Sequence, residues 1–231
     1  MLNAFFFLAM LTTLVTPASP AGPTLPVARV SASSDAFDRL LARWALVVDY
    51  AVTMSTFEAS GTKTAHSILH YSFRKPDRAK IEVVGGTNRG AVLVWDGGND
   101  VTAYKRGMFS IVKLHLGLED GRVKSLRGNG ILTPELGDTL ACFRLHRQAV
   151  ETVPGPDVAG EPTETIELHY GGFTCANDSS ADSDVTRDLL DVSQKTGEVV
   201  RRERYAGTTL VESYDLHDLT LNPGLADGVF Q

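Results

Sequence analysis

Nothing limits the fold of this chain more than the run HYSFRKPDRAKIEVVGG, His70 to Gly86. Apolar and polar residues alternate up to a Lys-Pro break, then alternate again to a Gly-Gly pair. Period-two alternation sends successive side chains to opposite faces of a strand, whereas a helix has period 3.6. Ala79, Ile81 and Val83 fall on one face against Lys80 and Glu82. Just upstream, AHSILHYSF sets Leu69, Tyr71 and Phe73 opposite His66, Ile68, His70 and Ser72. Two adjacent strands, each apolar on one face, must lay that face against a core or against a bound molecule.

The same reading extends along the chain. SSDAFDRLLARWALVV predicts a helix capped by Ser34 or Asp35, with Phe37, Leu40, Leu41 and Trp44 at helical spacing. DYAVTMSTFEASG returns to period two, with Tyr50, Val52 and Met54 on one face. GAVLVWDGG, carrying Leu93 and Trp95, is a more uniformly apolar strand that ends in a turn, and DVTAYKRG runs back from it. MFSIVKLHLGL is a strand or a short helix. TPELGDTLACFRLHRQ predicts a helix with Thr133 as cap, Pro134 at its first position, and Leu136, Leu140 and Phe143 on one face. VPGPDVAGEPTE reads as a loop, TIELHYG as a strand and CANDSSADSDVT as a polar loop. RDLLDVSQKTGEVVRRERYAG is a hairpin around Lys195-Thr196-Gly197, and TLVESYDLHDLTLN is the last long strand. The expected class is α+β: one antiparallel sheet, long enough to curl strongly, with helices over its concave side.

Residues 1–21 read as a signal peptide. The apolar run from Ala4 to Val15 is too short to span a bilayer, and Ser19 and Ala21 precede a cleavage point. Residues 22–33 read as a linker and 34–231 as one domain. No Cys lies near the cleavage point, and no later apolar run is long enough to cross a membrane. A net charge of −6 gives no push toward nucleic acid. The basic clusters RKPDRAK and RRER, interleaved with acids, read as solvated strand faces. Cys142 and Cys175, the two cysteines, read in an exported chain as one disulfide, with two buried inert thiols as the alternative. They have no further ligands at usable spacing for a metal.

Catalytic signatures are lacking. There is no G-x-S-x-G elbow. His66 and His70 share a strand face but stand too far apart to share a metal, and His115, His146, His169 and His217 are scattered singly. DSSADSD has neither the Gly nor the terminal Glu of an EF-hand loop and reads as solvated. GGTNRG opens a strand, so it is no phosphate loop. The reading assigns no enzymatic activity, no metal and no cofactor.

Three segments resemble the LolA-like periplasmic lipoprotein carriers. YSFRKPDRAKIEV resembles their strand, basic-Pro turn and strand; GAVLVWDGGNDVTAYKRG resembles the strand pair that follows; YDLHDLTLNPGLADGVF is similar to their closing strand. The resemblance implies an incomplete β-barrel whose concave side and helical lid enclose an apolar cavity. The lining it implies is Val52, Met54, Leu69, Tyr71, Phe73, Ala79, Ile81, Val83, Leu93 and Trp95. Where the carrier has an Arg tied to lid movement, this chain has Lys75, with Arg74 beside it. The implied function is a periplasmic carrier of a lipid or lipoprotein, meeting membrane-associated donor and acceptor proteins. The alternative is a sensor or regulatory module of the same fold, acting through protein contacts. Neither implies nucleic acid or a membrane-spanning segment.

Overall fold

The computed structural model describes residues 33–107, 112–176 and 178–231. The expected leader, its cleavage point and the linker as far as residue 32 lie outside the described residues, as does the start of MFSIVKLHLGL. Helix α1 (Ser33–Trp44) is followed by β1 (Asp49–Ser60), β2 (Lys63–Arg74), β3 (Arg78–Gly86), β4 (Ala91–Trp95), β5 (Asp100–Lys105) and β6 (Leu114–Gly117). Helix α2 (Leu136–Leu145) then leads to β7 (Val150–Pro154), β8 (Thr163–His169), β9 (Arg187–Ser193), β10 (Val199–Ala206) and β11 (Thr209–Leu221).

The strands form one antiparallel sheet in the order β6-β5-β4-β3-β2-β1-β11-β10-β9-β8-β7. Two meanders are thus joined along the first and last strands, and among the described residues β6 and β7 are the edges of the sheet. The sheet is open, not a closed barrel. Register carries the alternation from strand to strand. Tyr50 lies opposite Phe73, Phe73 opposite Ala79, and Ala79 opposite Trp95; the next row runs Val52, Tyr71, Ile81, Leu93.

That face bends around both helices. Phe37, Leu40 and Trp44 of α1 and Leu136, Leu140 and Phe143 of α2 share one buried cluster with Val101 and Leu116 at one end of the sheet and Ile166 and Leu168 at the other. Phe37 and Phe143 meet at 6.1 Å and Trp44 and Tyr50 at 5.2 Å, so the helices touch each other and the sheet. The greater apolarity of β4 also has its cause. Val92 and Val94 point to the other face, where the C-terminal turn Asp227–Phe230 lays Phe230 over them. Arg74 holds that turn, donating to the Leu225 carbonyl at 2.9 Å and pairing with Asp227.

Two local expectations need correction. The cap of α2 is Glu135, whose carboxylate accepts from Gly137 N at 2.8 Å and Asp138 N at 2.5 Å, while Thr133 Oγ1 accepts from Gly130 N. Two acceptor oxygens satisfy two orphan amides, while the Thr133 hydroxyl, two residues earlier, is engaged at Gly130. Val153 and Pro154, expected in a loop, complete β7; it is an edge strand, where a Pro costs no ladder bond. Cys142 and Cys175 are bonded and fasten α2 to the segment that precedes β9. Among the described residues no helix is long and apolar enough to cross a membrane.

Replacing both Cys142 and Cys175 with Ala is expected to lower stability in urea by about 3–4 kcal/mol, the loop-closure value for a bridge of this span. A variant that unfolds at the wild-type midpoint would show that the bridge constrains little.

Candidate functional site

Where β1 to β4 run out beyond the helices, the inner face is roofed by residues 122–134 alone, and a pocket of about 280 Å³ lies beneath. Its floor is Leu69, Ile81, Val83 and Leu93, with Val123 opposite. Thr56, Glu58, Ala65, Ser67, Thr87, Asn88, Lys105 and Tyr214 complete the rim and ends. The β2–β3 ladder is irregular beside it: Ile68 lies opposite Gly85 but Leu69 opposite Val83. Such a bulge re-aims side chains at a sheet margin. Gly86 closes it with φ +71°, and a Cβ there would stand 2.1 Å from the His66 carbonyl oxygen, so only glycine fits.

The residues expected to line a cavity divide into two groups. All ten share the inner face. Leu69, Ile81, Val83 and Leu93 line the pocket. Val52, Met54, Tyr71, Phe73, Ala79 and Trp95 are packed in or against the core and do not line the pocket; Ile81 is buried in that same core, and Leu69, Val83 and Leu93 are half-buried against it. Lys75 points at α1: its Nζ donates to the Trp44 carbonyl at 3.0 Å and sits 5.3 Å from the indole centroid. Arg74 faces the opposite way, to the C-terminal turn, with its guanidinium over Phe230.

The sequence reading missed what holds the pocket roof in place. RRER was expected to be a solvated strand face, yet alternation turns Arg202 and Arg204 inward, and both are buried. Arg204 contacts Asp178 at 2.6 Å, Asp182 at 3.0 Å and Glu212 at 3.3 Å; Arg202 grips Asp188 through Nε at 3.0 Å and Nη2 at 2.6 Å. The acidic loop DSSADSD, expected in solvent, supplies two of those carboxylates. Its Asp184 also binds buried Arg127 at 2.7 Å, and Ser179 Oγ donates to the Arg127 carbonyl at 2.6 Å. Glu58 of β1 finishes the lattice, accepting from Ser125 Oγ at 2.5 Å and Asn129 Nδ2 at 2.9 Å. Burial pushes the Glu212 carboxyl up against the opposing pull of Arg204 and Arg202, and it does the same to Asp178.

Other groupings lead away from chemistry at the pocket. His169, expected to stand alone, has its ring nitrogen 3.0 Å from Glu151 and 3.4 Å from Glu167, a group of donors within 4.8 Å of one another at the β7–β8 edge. Arg187 already occupies Glu167 at 3.0 Å. Ser55 Oγ lies 3.3 Å from His217 Nε2 on the outward face, with no carboxylate recorded on that ring among the described residues. A nucleophile needs its base oriented by such a partner.

No family model matches the sequence, and no curated protein matches it closely enough to count as a relative. Solved structures do match. A DUF1329 family protein from Desulfovibrio piger is 12% identical, covering 87% of this chain and 98% of its own, with a TM-score of 0.45. A putative outer membrane lipoprotein-sorting protein domain from Vibrio parahaemolyticus is 12% identical over 86% of this chain and 96% of its own, with a TM-score of 0.41. The lipoprotein LppX of Mycobacterium tuberculosis is 15% identical over 83% of this chain and 96% of its own, with a TM-score of 0.47.

Arg204→Met is expected to destabilise the protein by about 3–5 kcal/mol in urea, because it strands buried carboxylates without a cation. A loss under about 1 kcal/mol would mean that Arg202 and Arg127 neutralise the cluster unaided.

Proposed function

We propose that the protein is a carrier that holds an acyl chain of a lipid or lipoprotein between its curved sheet and the segment roofing it, in an oxidising compartment outside the cytoplasm. The observation that carries this reading is the pocket floor. Leu69, Ile81, Val83 and Leu93 are presented side by side by three strands, under a roof of one 3-10 turn and irregular chain with no α-helix. Apolar residues left uncovered at the inner margin of a sheet lose about 25 cal/mol for every Å² not buried, a cost that a hydrocarbon chain removes. A volume of about 280 Å³ is near the lower end of the range for small-molecule sites, so it suits one chain and not several. The roof is docked by polar contacts at Glu58 and Arg127 and by Val123 and Ile131, which are buried in the core. A disulfide between Cys142 and Cys175 is in keeping with export, since such bonds persist in oxidising compartments.

The test is binding of a fluorescent fatty-acyl probe to the purified protein, with native mass spectrometry to count bound chains. Leu93→Trp fills the floor, and each displaced methylene removes about 0.8 kcal/mol. Losing two is expected to weaken binding roughly tenfold while the near-ultraviolet dichroism persists. A folded Leu93→Trp protein that binds the probe as tightly as wild type would overturn the proposal.

A further inference from the structure

We infer that the ligand of this pocket is a single-chain amphiphile with an anionic head, and that Lys105 receives that head at the mouth. The inference rests on the acyl-chain reading above and adds the chemistry of the other end of the ligand. Its basis is the way charge and register coincide. The charged residues of the lining are three cations, Lys105, Arg122 and Lys124, and one carboxylate, Glu58. In a chain with a net charge of −6, that local excess runs against the whole molecule.

Register fixes which end is which. Lys105 lies opposite Ala91 at the end of β4 and β5 away from their own turn, beside the β3–β4 turn residues Thr87 and Asn88 that share the rim. Val83, opposite Leu69, is level with Ala91 in that same row, and one row further in Leu93 lies opposite Ile81. A chain lying along the strands therefore has its tail on the apolar rows and its head beside Lys105.

The available partners agree with this orientation. Lys105 is exposed, and among the described residues its ammonium has no ion pair. Arg122 pairs with Asp120 at 2.6 Å and Lys124 with Glu119 at 3.1 Å, and neither acid lines the pocket. Glu119 is 91% exposed, so its hold on Lys124 is exchangeable for a ligand anion. Glu58, the lone carboxylate, already accepts from Ser125, Asn129 and the Arg127 amide, and it asks for no ligand cation. Carboxylate and phosphate heads both satisfy this arrangement. The chain length does not distinguish them, and neither does the volume.

Calorimetric titration of the full-length protein with oleate, oleoyl-lysophosphatidylglycerol and monooleoylglycerol, each below its micellar concentration, separates the cases. The anionic pair is expected to bind about fivefold more tightly than the glyceride at low salt, with the gap closing as salt is raised. Lys105→Glu, a change at an exposed position, is expected to close or invert the same ratio. The tighter of the two anions identifies the head as carboxylate or phosphate. Equal binding of all three, or a ratio untouched by Lys105→Glu, overturns the anionic head while leaving acyl carriage standing. Failure of all three to bind overturns both.

Discussion

Everything on the inner face depends on the pairing of β1 with β11. These two strands lie about as far apart in the chain as any two can, with Tyr50 opposite Leu221 and Glu58 opposite Glu212. Without that ladder there are two separate meanders, each too narrow to curve around both helices. Such a pairing must bear the closure entropy of nearly the whole domain before any contact repays it. Side chains beyond the strand ends reinforce it. Asn222 accepts from Val48 N at 2.6 Å, and the Asp49 carboxylate accepts from the Leu225 amide at 2.7 Å.

Once the sheet is continuous, its inner face divides by chemistry. On the β1–β5 side it is aromatic and aliphatic except for Glu58 of β1; on the β9–β11 side it carries Arg202, Arg204, Asp188 and Glu212. A buried ionic lattice is a poor source of net stability, because desolvation cancels much of the attraction. What it supplies here is position. The loop that roofs the pocket is docked at Glu58 on one side and, through Arg127, at the acidic loop on the other. The disulfide at Cys175 secures the start of that same acidic loop, where the Cys175 amide donates to Asp178 at 2.6 Å. The apolar half binds, in the proposed reading, while the charged half sets the distance between wall and floor.

Much of this was legible in the residues. Alternation in RAKIEVV and AHSILHYSF was enough to put Leu69, Tyr71, Phe73, Ala79, Ile81 and Val83 on one face, because period two leaves no other phase. Helix α1 was readable from Phe37, Leu40 and Trp44. Which of those residues meet empty space and which meet a helix was not readable, since alternation reports the face and not what covers it. The ionic lattice was the larger miss. Glu58, Asp188 and Glu212 each stand in phase with core residues of their own strands: Met54, Leu190 and Tyr214. An acid in phase with a core demands a cation, and RRER was the nearest supply. A register shift between Val199 and Arg201 hid the match, because it resets the phase just before the arginines. Edge strand β7 escaped because Pro154 and the glycines after it outweigh four strand-like residues.

The gap between β6 and β7 has a mechanical consequence. A closed barrel has its radius locked by strand number and shear. A sheet with two free margins has no such lock, and its coil can relax or tighten through small changes of twist at every ladder with all backbone bonds kept. The width under the roof then follows the twist summed along the ladders and not a fixed strand count.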